Sequence, residues 1–250
     1  LEVDGNLLQE GGMMRINGGS LKVGGDYRIQ KYNEKKKSYG ESDGALRVEG
    51  EDAEASVGGD FYTQSTRGDN WQTGSADNYF SAGTVTLKGN FTQIKGEEGN
   101  AGNFRADGVK VVFAGEGTQE ISFETPETSY FCYPVFKNTD IRVKSGIGRW
   151  NLNEDLTIRD EGYPLEIVGG LTLNGNTLTV ERSVETRAGE RNSGINLNKG
   201  LLKIKGDLTQ KTGTSYLRVE FNRGKLEVDG NLLQEGGMMR INGGSLKVGG

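Results

Sequence analysis

No histidine occurs in this 250-residue chain, so the commonest general base and the commonest transition-metal ligand are both missing. Ser-His-Asp, Cys-His and histidine-metal chemistry are thereby excluded from it. Cysteine occurs once, as Cys132 in the apolar stretch SYFCYPVF, and no disulfide can close within the chain. The expected state is a buried thiol, with a cross-link between copies as the alternative. Proline is nearly absent at 3 residues, which excludes collagen despite 41 glycines, since there is also no Gly-X-Y period. Basic charge is in deficit: 30 Lys and Arg against 35 Asp and Glu leave a net charge of −5, so no nucleic-acid partner is expected. No run approaches the ~20 apolar residues of a membrane span, and no window keeps apolar residues at helical spacing. No signal peptide opens the chain, but residue 1 falls inside a repeat, which places the true N-terminus elsewhere.

That repeat is the strongest signal present. Residues 226–250, LEVDGNLLQEGGMMRINGGSLKVGG, are identical to residues 1–25, so the sequence is a 225-residue unit that has begun again. Copies that match without drift imply recent or maintained tandem duplication. A fibre gains length from such an arrangement, whereas an enzyme gains little.

A looser motif runs inside the unit: apolar-x-apolar-x-Gly-(Asp/Asn)-apolar-x-Gln. It is clear in LEVDGNLLQ (1–9), VTLKGNFTQ (85–93) and LKIKGDLTQ (202–210), and stretched by one residue in LKVGGDYRIQ (21–30) and ASVGGDFYTQ (55–64). Its glycines are Gly5, Gly25, Gly59, Gly89, Gly115, Gly206 and Gly230. Uneven gaps with a constant motif predict coils of fixed cross-section carrying loops of varied length. Each motif reads as strand, bend, strand, with the glycine allowing a bend or a positive φ and the Asp or Asn bonding to nearby backbone. Gln9, Gln30, Gln64, Gln93, Gln119, Gln210 and Gln234 share one place and predict a stacked amide ladder. A row of ligand-binding amides is the alternative. Asn17-Gly18-Gly19-Ser20 and Asn174-Gly175-Asn176 supply corner or hairpin chemistry.

Polar segments 31–44, 65–83, 95–107 and 181–199 read as surface excursions. Within them Trp71, Tyr79 and Phe80 form a candidate ligand loop able to stack on sugar rings, set against a role in pinning the loop to the strands. The basic cluster KYNEKKKSYG (31–40) is flanked by acids and reads as solvated. EGEDAEA (49–55) offers oxygen ligands of the kind calcium takes, but in no calcium-loop spacing, so no cofactor is expected beyond a weak calcium possibility. Asp155, Asp160 and Glu161 are arbitrary as a glycosidase pair, because such a pair is defined by separation in space. The aromatic run Tyr130, Phe131, Tyr133, Val135 and Phe136 predicts core or inter-coil packing, and Asn90-Phe91-Thr92 is a glycosylation sequon at a turn position.

GDLTQ, GGSLKVGGDYRIQ and LTLNGNTLTV resemble repeats of large tandem-repeat prokaryotic extracellular and surface proteins, and more distantly the parallel β-helix shafts of filamentous-haemagglutinin-like adhesins. The resemblance covers the strand motifs, departs from the family in its irregular coil length, and fades over 109–165. It implies a secreted fibre or cell-surface stalk serving adhesion or biofilm-matrix building. The resulting expectation is an all-β chain, a β-solenoid of Gly-Asp/Asn-turn coils with loop insertions. Coils with polar insertions would fill 1–108, a degenerate β segment or distinct β module 109–165, further coils 166–225, and the next unit would start at 226–250. About nine coils at ~4.8 Å would make the unit roughly 40 Å long. Expected partners are tandem or end-to-end copies of itself, with surface glycans or other filaments as further candidates. The rivals are an adhesin that binds glycan or protein through its loops, a filament of separate subunits joined by strand donation, and a β-helical polysaccharide-processing enzyme.

Overall fold

The computed structural model describes residues 1–67, 80–96, 102–159, 161–187, 194–211 and 218–250. Among them every regular element is a strand, no helix occurs, and all strand pairs are parallel except one hairpin, Lys31–Asn33 with Ser38–Gly40. Alternation accounts for the strands: Leu202, Ile204 and Leu208 are buried while Lys203 and Thr209 between and beside them are not. Glycine and Asp or Asn interrupt each run after a few residues, so the strands stay short.

Eleven strands form the longest sheet: Leu7–Leu8, Tyr27–Ile29, Phe61–Thr63, Phe91–Gln93, Gln119–Phe123, Ile141–Val143, Leu156–Ile158, Thr177–Val180, Leu201–Ile204, Lys225–Val228 and Ser245–Val248. Their spatial order is their sequence order, so the chain leaves each strand and returns beside it, running the same way, throughout. A six-stranded sheet of Glu2–Val3, Gly19–Val23, Ala53–Val57, Thr84–Leu87, Arg105–Phe113 and Tyr130–Phe136 is threaded between them in the first half. In the second half the intervening strands belong to two other sheets. One holds Gly146–Ile147, Leu165–Val168, Val184–Arg187, Leu208–Gln210 and Leu232–Gln234; the other holds Leu171–Thr172, Ile195–Asn196, Arg218–Glu220 and Met238–Arg240. A two-stranded sheet pairs Met13–Ile16 with Ala45–Val48. None of the sheets closes into a barrel. Residues 109–165 contribute to the six-, eleven- and five-stranded sheets alike.

One apolar core runs the length of the molecule, from Ile16 to Val228. In-register pairing stacks like on like: Tyr27, Phe61 and Phe91 lie in successive strands with ring centroids 5.3 and 5.8 Å apart, and Phe131 packs edge-on to Phe91 at 4.7 Å.

Gly5, Gly25, Gly59, Gly89, Gly206 and Gly230 lie at bends, one of the two conformations expected of them. None has a positive φ; that conformation falls at other residues, among them Gly12, Gly18, Asn174 and Asn222. At Gly25, Gly59, Gly89, Gly206 and Gly230 neighbouring chain also passes too close for a side chain. A Cβ on Gly59 would lie 2.7 Å from the carbonyl carbon of Gly25 and 2.8 Å from the amide nitrogen of Asp26. At Gly5 the same position is open, with nothing within 4 Å.

Candidate functional site

The Asp or Asn that follows a marker glycine builds a ladder along the sheets. The side-chain oxygen of Asn6 accepts from the backbone N–H of Asp26 at 2.8 Å, Asp26 from Asp60 at 2.9 Å, Asp60 from Asn90 at 2.7 Å, and Asn90 from Glu120 at 2.8 Å. In the second half Ser183 accepts from Asp207 at 3.0 Å and Asp207 from Asn231 at 2.7 Å. A short side chain at a corner reaches the equivalent corner above it and satisfies a donor there.

The glutamines take a different course. Gln30 donates to Gln64 at 3.1 Å, the one amide-to-amide bond among these glutamines in the described residues. The others turn to the backbone, to hydroxyls or to asparagine: Gln9 donates to Gly12 and Ala45 and accepts from Tyr27, Gln119 donates to Leu87 and Gly89 and accepts from Asn138, and Gln93 accepts from Thr125. Gln210 is fully buried with neither amide atom bonded, and Gln234, at the last strand of its sheet, is exposed and donates to Gly237.

A second ladder went unnoticed in the sequence. Asn198 donates to Asn174 at 3.1 Å, Asn222 to Asn196 at 2.8 Å, and Asn242 to Asn222. Asn174, Asn198 and Asn222 sit at φ of 52°, 38° and 43°, a left-handed corner that asparagine tolerates. The signal is an apolar residue followed by Asn-x-Gly at 197–200, 221–224 and 241–244, whose last member the repeat also places at 16–19, as Ile16-Asn17-Gly18-Gly19, while 173–176 reads Leu-Asn-Gly-Asn.

Of the candidate ligand residues, Trp71 and Tyr79 lie outside the described residues. Phe80 is buried, its ring 4.5 Å from that of Phe104. Glu49 is taken up by Arg15 and Arg47, and no group of three or more Cys, Asp or Glu able to hold a metal occurs among the described residues. Asp160 lies outside the described residues; Asp155 accepts from the Thr177 amide, and Glu161 pairs with Arg142. The 31–40 segment is the hairpin, with Tyr32 and Tyr39 packed across it at 5.2 Å and Arg28 over the Tyr39 ring.

Four ionisable side chains, Asp107, Tyr130, Cys132 and Arg149, meet in one cluster. Tyr130 donates to Asp107 at 3.1 Å and accepts from Arg149 at 2.6 Å, while the Cys132 thiol lies 3.4 Å from the Asp107 carboxylate. Burial, and then the Asp107 charge, push the Cys132 thiol and the Tyr130 hydroxyl each up to about 12. Both stay protonated at neutral pH, so this cluster offers neither a thiolate nucleophile nor a phenolate base.

Exposed apolar side chains occur at both ends, among them Leu8 and Met13 at one and Leu233, Met238 and Ile241 at the other. Residues identical in sequence differ there in burial: Ile16 is 7% exposed but Ile241 52%, and Val23 3% but Val248 39%. Residues 1–25 are paired on their following side, as Met13 with Ala45 and Gly19 with Ala53; residues 226–250 are paired on their preceding side, as Leu226 with Leu202 and Met239 with Val219. Within both copies the internal pairing is the same, Val3 with Val23 and Val228 with Val248. Neither family models, nor curated proteins, nor solved structures give a match to this chain.

Proposed function

We propose that this chain is one period of a tandem-repeat β-solenoid fibre, a structural element whose task is to span distance outside the cell or at its surface. Parallel strands in sequence order, a single core running lengthwise and ladders of corner side chains support the solenoid reading. The observation that carries the fibre reading is the complementary state of the two identical 25-residue segments. Each has the half of its neighbours that the other lacks, so laying one copy on the other continues the strand pairing and the Asp/Asn corner bonds. The mechanism is mechanical: backbone bonds and apolar stacks run along the axis, and terminal strands are protected by the next unit instead of standing as open edges.

A second reading, binding of glycan or protein at the hairpin, is favoured by the exposed Tyr32 and Tyr39 beside Lys35, Lys36 and Lys37.

The mass of the native chain after full denaturation and reduction tests the fibre. A species of many 225-residue units is expected. A chain of about one unit overturns tandem continuity and leaves strand exchange between subunits.

A further inference from the structure

The identical segments do not occupy equivalent sheets. Leu1, Leu7 and Met13 begin strands or lead into strands of the six-stranded, eleven-stranded and two-stranded sheets in turn. Their counterparts Leu226, Leu232 and Met238 fall in the eleven-stranded, five-stranded and four-stranded sheets. The motif has moved on by one sheet.

Tracing the faces shows the size of the move. The eleven-stranded sheet is continuous and defines one face throughout. The six-stranded sheet precedes it in every circuit of the first half, and the four-stranded sheet does so in the second. These two are one face, joined through Asn151, whose amide N–H donates to Cys132 of the six-stranded sheet at 3.0 Å and which bridges to Thr172 of the four-stranded sheet. The remaining face carries Met13–Ile16 and Ala45–Val48 early and the five-stranded sheet later. Leu7 and Leu226 lie in the first and tenth strands of the eleven-stranded sheet, nine circuits apart, while Leu232, the counterpart of Leu7, lies one face further on.

We infer that each tandem unit is nine circuits plus one face long, so that the seam at 226–250 accepts the next copy of this chain only when that copy is turned by a third of a circuit. This rests on the tandem β-solenoid reading. Two further observations support it. Corner asparagine Asn17 stands before Gly19–Val23 of the six-stranded sheet, whereas its counterpart Asn242 stands before Ser245–Val248 of the eleven-stranded sheet and bonds into the ladder there. The internal register nevertheless stays unchanged, with Glu2 opposite Lys22 and Glu227 opposite Lys247. The same 25 residues therefore fit two different faces without altering their pairing, which a turned successor requires. A consequence is that the hairpin at 31–40, which follows the eleven-stranded face here, follows a different face in each of three consecutive units and returns to its first side in the fourth.

The test is a chain of four successive units with a small folded tag inserted between Lys35 and Lys36 of each hairpin, imaged by cryo-electron microscopy. The inference expects the first three tags to leave from three different sides and the fourth to stand above the first. Tags all on one side overturn it while leaving a tandem fibre intact. If tagging the hairpin prevents folding, labels on Glu116, exposed at a different corner, read the same rotation. Failure of the tandem reading itself is seen separately, as a native denatured mass of about one unit, and does not alter what the four-unit chain reports about the seam.

Discussion

Gly5 and Gly230 are the same residue in the same 25-residue context, and only the neighbourhood separates them. Around Gly5 there is open space, while a Cβ on Gly230 would meet the carbonyl carbon of Gly206 at 3.0 Å and the Asp207 carboxylate closer still. Gly5→Ala is therefore expected to leave the urea midpoint of this chain within about 0.5 kcal/mol of its starting stability, as surface changes do. Gly230→Ala is expected to lower stability by about 1–3 kcal/mol, the usual penalty for forcing atoms into filled space. Equal effects at both sites would mean that the close approach is not what selects glycine. The residue type was legible in the sequence, but its cause was not. Composition suggested a bend, which is present at both sites, while the close approach at Gly230 is set by chain 24 residues away, which local propensity does not encode.

At the scale of strands and corners, the Asp or Asn ladder takes the place in which glutamine was expected. Asp60 shows why. Its Oδ1 accepts from the Asn90 amide at 2.7 Å and its Oδ2 from the Tyr62 hydroxyl at 2.8 Å, while its own N–H is held by Asp26. Asp60→Ala strands a donor at a part-buried corner and is expected to cost about 1–3 kcal/mol in chemical denaturation. Asp60→Asn keeps an oxygen in place, as at Asn6 and Asn90, and is expected to recover most of the loss. An Asn variant as damaged as the Ala variant would assign the effect to charge instead of to the bond. Glutamine has a longer stem and reaches sideways to carbonyls such as Gly12 and Ala45, so among the described residues Gln30 and Gln64 are the one pair of these glutamines bonded to each other. The asparagine corner leaves a trace as Asn-x-Gly at 198–200, 222–224 and 242–244 but not at Asn174-Gly175-Asn176, so the sequence shows turns and not their stacking.

For the whole molecule, stability is distributed along an axis. Strands in the middle, such as Phe91–Gln93, are paired on both sides, whereas Ser245–Val248 and Leu232–Gln234 are paired on one. Hydrogen exchange is expected to be slowest for amides of the central circuits and fastest for the end strands, with protection spreading into 232–248 when a further unit is appended. Uniform protection from end to end would contradict a core built of stacked circuits. What the sequence determined by itself is local and periodic: strands instead of helices, corners at Gly-Asp and Gly-Asn, and a 225-residue repeat, because side-chain alternation and backbone preference act between near neighbours. What only the tertiary structure decided is which sheet each copy joins: Glu2–Val3 pairs in the six-stranded sheet and Lys225–Val228 in the eleven-stranded one, because partners come from chain distant in sequence and pack around a shared core.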